Sequence, residues 1–247
     1  MSMAQEITKR HCAVFTLQRD EFFHLPLWLS YYSLHFEPQD IYVIDHESTL
    51  PEVKAALENV ANVKMVCNHE IYNSDWYQGV VRFQQLTLLE RYEYVLYTDV
   101  DEWVIPKEGS LKDFVANADR DAYRCTGYEV IENRIYPWHD ACKPIFMRVP
   151  LQLGWGCHTS VPEVPVTDDL FMYHLHRLNY DAAWAKRQRY QAHPFKDVKY
   201  REVVNEEQYK SQFYTNATHE GGAESWHPRL WLAMLQVLGT ELRIPNE

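Results

Sequence analysis

Asp99 and Asp101 follow directly on the apolar run Tyr94-Val95-Leu96-Tyr97, so two carboxylates stand where a buried strand stops. Residues two apart on an extended chain point to the same side. Like charges held that close are costly unless a proton or a cation lies between them. Carboxylate oxygens suit hard divalent ions such as Mn2+ or Mg2+, and such an ion can bridge a diphosphate and stabilise its charge as it leaves. The pair is therefore read as sharing one divalent ion, the alternative being a capped turn on a sheet edge. The same spacing at Asp119 and Asp121 lies in a polar stretch and reads as a solvated turn.

Three later segments carry further chemistry. His174-Leu175-His176 follows Leu170-Phe171-Met172-Tyr173, which places two imidazoles on one face at another strand end. Imidazole is a ligand for Mn2+ or Zn2+, and His174 is the favoured one of the two; a pair of structural histidines is the alternative. Gly154-Trp155-Gly156-Cys157-His158 sets an indole face and a histidine beside small residues, a platform for a sugar ring, so Trp155 and His158 are candidate acceptor contacts. An inverting group transfer needs a base for the acceptor hydroxyl. Glu163 and Asp168, with Asp169, are the candidates, in the loop after the Gly-Trp-Gly segment.

These residues need a frame. Strand-like runs at His11–Leu17, Asp40–Asp45, Val63–Cys67, Tyr94–Tyr97 and Tyr123–Ile131 alternate with helical periodicities. One helix starts at Pro26, one opens at Thr49-Leu50-Pro51-Glu52 as a capping box, one carries Trp76, Val80, Phe83 and Leu86, and a short one is capped at Ser110. Such alternation implies βαβ units and a mostly parallel sheet, whose ligands bind at the carboxyl ends of strands. Asp45 and Asp99 are the first residues to inspect there. Residues 137–165 are broken by prolines and glycines and read as loops and short strands over that edge. Helices are expected over Tyr180–Tyr190, Asn205–Phe213 and Ser225–Leu238.

The string Thr98-Asp99-Val100-Asp101-Glu102-Trp103-Val104-Ile105-Pro106 resembles the D-x-D-E-[FW] segment of GT-A glycosyltransferases, closest to the glycosyltransferase family 2-like group that includes family 92-type transferases. Arg19-Asp20-Glu21, Leu25, Trp28-Leu29, Tyr31-Tyr32 and Ile41-Tyr42-Val43-Ile44-Asp45-His46-Glu47-Ser48 are similar to that group's opening, with Asp20 and His46 standing where it has Asn. The resemblance covers residues 11–106, and 140–180 loosely. It implies an α/β, GT-A (Rossmann-like) fold with a mostly parallel central sheet flanked by helices and a C-terminal helical extension. One catalytic domain, 1–247, would comprise a nucleotide-sugar half (about 8–135), an acceptor-side half (about 136–200) and the extension (about 201–247). It also implies that Thr16 and Arg19 line the nucleotide pocket, that Asp45 meets the uracil or ribose, and that Arg82 and Gln85 face the donor. Asp99 would lie near the ribose and sugar, Asp101 would hold the metal, and a late histidine, His174, would complete its site. The implied reaction is metal-dependent transfer from a nucleotide-sugar donor, a UDP-sugar first, to a hydroxyl on a glycan or lipid-linked acceptor, as in polysaccharide biosynthesis.

Composition narrows the field further. With 46% hydrophobic and 24% charged residues the chain is an ordinary globular one. A net charge of −11 supplies no basic footprint for nucleic acid. The five cysteines are scattered without a C-x-x-C, which suits free thiols in a reducing compartment. The longest apolar run, Leu230–Leu235, is too short to span a bilayer, and no apolar leader opens the sequence. The expected location is the cytoplasm or the inner membrane face, with the C-terminal helix packing on the core, pairing in a dimer or touching a membrane. Two rival readings remain: a haloacid-dehalogenase-type phosphatase with Asp99 as nucleophile, and a non-catalytic carbohydrate-binding module.

Overall fold

The computed structural model describes residues 9–66, 74–154, 157–192, 203–215 and 228–239. The chain runs β1 (Arg10–Gln18), α1 (His24–Tyr32), β2 (Ile41–Asp45), α2 (Pro51–Leu57), β3 (Asn62–Met65), α3 (Ser74–Leu89), β4 (Tyr92–Tyr97), β5 (Glu102–Pro106) and α4 (Leu111–Ala116). There follow β6 (Ala122–Ile131), β7 (Arg134–Pro137), β8 (Pro144–Met147), β9 (Gln152–Leu153), β10 (Ser160–Val161) and β11 (Val166–Arg177), then helices α5 (Tyr180–Ala192), α6 (Glu206–Thr215) and α7 (Pro228–Leu238).

The central sheet has the order β3-β2-β1-β4-β8-β6-β11-β5, with β7 paired to β6. The first four strands are parallel. Beyond β4 the pairing is mixed: β8 and β5 run antiparallel to their neighbours, and β6 and β11 are parallel. This is the expected Rossmann-like GT-A α/β architecture. Strand β1 shows why it is central. Cys12 and Val14 enter the core on one face, Ala13, Phe15 and Leu17 the core on the other, as a strand covered on both sides requires. No helix among the described residues is long and apolar enough to cross a membrane.

Helix α1 fixes the segment that carries the acidic pair. It begins at His24, two residues before Pro26, which sits in the first turn where a missing N–H costs nothing. Trp28 Nε1 donates to Thr98 Oγ1 (2.8 Å), Tyr31 OH donates to the Val104 carbonyl (2.6 Å), and the Tyr31 ring stacks on Trp103 at 4.5 Å. The expected Ser110–Asp113 capping box is formed. The one expected at Thr49 is not: Leu50 is the N-cap of α2, and the Thr49 and Leu50 amides donate instead to Asp20 Oδ1, at 2.6 and 2.9 Å. A carboxylate 29 residues away thus holds the two residues that lead into α2, and no side chain caps the helix itself. Asp20 (φ 53°) and Glu47 (φ 52°) both adopt the left-handed region, so the loops leaving β1 and β2 are strained and locked over the carboxyl edge. Helix α7 packs on α1 through Leu230, Ala233 and Met234, the core role weighed for it.

Candidate functional site

The acidic pair sits on a turn, not on a strand. Strand β4 ends at Tyr97, the Glu102 amide donates to the Asp99 carbonyl (3.0 Å), and the Asp99 amide donates to Glu102 Oε2 (2.9 Å). This closed turn breaks the two-residue alternation, so Asp99 and Asp101 have different side-chain neighbours.

Asp99 is the more exposed of the two. Its Oδ1 accepts from the Tyr77 and Tyr97 hydroxyls, and its Oδ2 from Lys143 Nζ at 2.6 Å. The same ammonium reaches Glu102 Oε1 at 2.5 Å. Burial would raise the Asp99 carboxyl, but the charge and hydrogen bond of Lys143 together with the Tyr77 hydroxyl hold it below the usual range. Burial raises the Glu102 carboxyl in spite of Lys143.

Asp101 is buried and faces an ammonium and two imidazoles: Lys186 Nζ at 2.8 Å, His176 Nδ1 at 3.5 Å and His174 Nε2 at 3.6 Å, all measured to Oδ2. The Asp101 amide-side turn is pinned to β11, since the Leu175 amide donates to the Asp101 carbonyl at 2.7 Å. Against the burial that would raise it, Lys186 and then His174 hold the Asp101 carboxyl well below its ordinary value. Lys186 also meets Glu21 Oε1 at 3.0 Å, and Glu21 Oε2 lies 3.2 Å from His24 Nδ1. Behind His174, Glu129 Oε2 lies 2.5 Å from Nδ1. Burial would lower both imidazoles. Glu129 and Asp101 reverse this for His174, raising it to about 10, while His176 is left lowered to about 4. The compensation expected from a divalent ion is thus supplied, in this structure, by Lys143 and Lys186.

The donor set nevertheless fits a metal. One carboxylate oxygen and two imidazole nitrogens, from Asp101, His174 and His176, lie within 4.8 Å of one another. The 3.5 and 3.6 Å from Asp101 Oδ2 to the two ring nitrogens exceed the separation of about 3 Å between neighbouring ligands of an octahedral ion such as Mn2+, so binding would draw the three side chains together by about half an ångström. Glu129 on the far nitrogen of His174 is the kind of partner that orients a ligating ring; an ion at Nε2 would have to displace the proton that the ring shares with Asp101. His176, ranked below His174 in the sequence reading, belongs to the set equally, and Asp99 does not belong to it.

The other sequence-predicted residues fall unevenly. At the edge of β1, Arg19 keeps its Nε buried without a partner, and Thr16 is fully buried on the strand with its hydroxyl unpartnered. Asp45, at the end of β2, accepts from Gln18 Nε2 and Ser48 Oγ, each at 2.5 Å, and from the Ser48 amide. Beside it the His46 ring packs on Trp76 at 4.6 Å. Gln85 is fully buried and spends its amide on the Leu151 amide (3.3 Å) and Met147 Sδ, so it anchors the chain after β8 rather than facing a donor. Arg82 is exposed on α3. Glu163 has an 86% exposed side chain opposite Arg124 at 3.7 Å. Asp168 is exposed near the start of β11, six residues before His174, roughly 20 Å of strand away. His158 is half-buried, next to Cys157 (φ 60°); Trp155 lies outside the described residues.

Sequence reasoning assigned no role to Glu21, Glu129, Lys143 or Lys186. Lys186 carries a readable signal: with Ala182 and Ala183 it forms the buried face of α5, a lysine on an otherwise apolar helix stripe. Lys143 opens the apolar strand Pro144–Met147, a weaker one.

No family model and no curated protein matches the sequence. Among solved structures, the chain is similar to S. aureus TarS in complex with UDP-GlcNAc, at 13% identity and a TM-score of 0.43, over 83% of this chain and 70% of that one. It is similar to the bifunctional glycosyltransferase WbbM at 12% and 0.33, over 48% of this chain and only 23% of WbbM. It is similar to a protein described as a glucose-1-phosphate thymidylyltransferase from Bacillus anthracis at 9% and 0.34, over 95% and 98%. None of these likenesses assigns a residue of this chain.

Proposed function

We propose that this protein is a glycosyltransferase that moves a sugar from a nucleotide-diphosphate donor, a UDP-sugar first, to a hydroxyl on a glycan or glycolipid. The observation that carries the reading is the group formed by Asp101, on the turn that follows β4, with His174 and His176 of β11, backed by Glu129 of β6, in a GT-A-like sheet. The carboxyl ends of parallel strands are where such sheets take ligands. Mn2+ or Mg2+ held by these three residues would neutralise diphosphate charge.

The chain's own groups suit the rest of the donor. Arg19, its Nε buried and unpartnered at the end of β1, offers charge-assisted hydrogen bonds to phosphate oxygens. Asp45, held rigid by Gln18 and Ser48 beside the His46–Trp76 pair, suits a base or ribose. Asp99, kept ionised by Lys143 with its side chain 28% exposed, is an acceptor for ribose or sugar hydroxyls. Its two oxygens are already engaged by two phenols and an ammonium, which lowers its nucleophilicity and counts against the phosphatase reading. A thermal-shift scan with UDP, GDP and CDP, each with and without Mn2+, tests the proposal. Stabilisation by one nucleotide that needs the metal supports it. Indifference to all three nucleotides, or turnover of a generic phosphate ester lost in Asp99→Asn, overturns it.

A further inference from the structure

We propose that Lys186 is an exchangeable counter-ion that competes with the divalent ion for Asp101, and so sets how weakly the site holds its metal. The inference rests on the metal reading of Asp101, His174 and His176. The oxygen of Asp101 that faces both imidazoles, Oδ2, is the oxygen that carries the lysine ammonium, at 2.8 Å. Two cations on one carboxylate oxygen repel each other, so an ion entering between the imidazoles must displace the ammonium or share the oxygen at a cost.

The surroundings give the lysine somewhere else to go. Its ammonium is 3.0 Å from Glu21 Oε1 and 5.7 Å from the centre of the Tyr190 ring, so Glu21 retains it when Asp101 is taken. In the metal-free protein the same ammonium compensates two buried carboxylates at once, which lets the acidic group persist in the folded chain without an ion. A lysine that only braced the fold would loosen the ligands when removed, and metal binding would weaken. A competing lysine predicts the opposite sign.

The test is calorimetric titration of Mn2+ into the full chain and its variants. Lys186→Met is expected to bind Mn2+ at least tenfold more tightly than the parent, and Lys186→Arg, which keeps the charge, to stay within about threefold of it. Should Lys186→Met fail to fold with Glu21 and Asp101 unpaired, Lys186→Met/Glu21→Gln removes one charge of each sign and is expected to show the same gain. Equal or weaker Mn2+ binding in the neutral variants, while His174→Ala abolishes it, overturns the competition and leaves the metal centre standing. Mn2+ binding that survives His174→Ala, or that no variant shows, overturns the metal reading itself.

Discussion

Replacing Lys143 by methionine probes how the acidic turn is held. The ammonium lies 2.6 Å from Asp99 Oδ2 and 2.5 Å from Glu102 Oε1, with side chains 3% exposed for Lys143 and 1% for Glu102. At an effective dielectric of about 20 each contact is roughly 6 kcal/mol of gross attraction, and desolvation of the three groups cancels most of it. Removing one partner of such a buried group costs about 3–5 kcal/mol, a Tm drop of roughly 10 °C for a chain this long. The loss carries a pH signature. Burial already raises the Glu102 carboxyl, and Lys143 is the largest influence holding it down. Without Lys143, native Glu102 is raised further and holds its proton to higher pH than the unfolded chain does. Stability of the variant then falls as pH rises, by up to about 1.4 kcal/mol per pH unit. Urea unfolding near pH 5.5 and near pH 8 measures this, with Lys143→Met/Glu102→Gln as the compensated variant. The expected deficit is larger at the higher pH and at least half recovered in the double variant. A deficit equal at both pH values, or below about 1 kcal/mol, would refute the reasoning.

Other substitutions separate the roles of neighbouring acids. Glu129→Gln is expected to weaken Mn2+ binding about 10- to 100-fold by releasing the His174 ring, read by the same titration. Glu163→Gln and Asp168→Asn are expected to leave sugar transfer within about twofold of the parent, because one is solvent-exposed and the other sits at the remote end of β11; a hundredfold loss in either would restore it as the base. Asp20→Ala is expected to cost about 1–2 kcal/mol in urea unfolding through the lost hydrogen bonds to Thr49 and Leu50, with Asp20→Asn milder because Asn tolerates the left-handed backbone.

Much of the frame was legible. Strands β1, β2 and β4 announce themselves as short apolar runs, and the order of strands and helices led to the α/β sheet and its carboxyl edge. The pairing of Asp101 with His174 was implied by the resemblance to GT-A glycosyltransferases, and His176 joins it on the same strand. What the sequence hid was tertiary pairing of charge. Strand β5 opens on Glu102, whose burial depends on Lys143, so its first residue looks like a loop. The two residues that lead into α2 are held by Asp20 from a distant loop, and a local motif cannot reveal that. The lysines that share the charge of Asp99 and Asp101, one just before β8 and one on α5, come from distant parts of the chain and have no local motif. Gln85 looked like a donor contact on its helix, and only the packing of Leu151 against it shows its anchoring role.

The central claim is that Asp101, His174 and His176 form a metal centre at the carboxyl edge of the sheet. Pulsed electron paramagnetic resonance of Mn2+ bound to the protein addresses it directly. The account predicts nitrogen couplings from two imidazoles, one lost in His174→Ala and one in His176→Ala. Bound Mn2+ with oxygen ligands alone would contradict it.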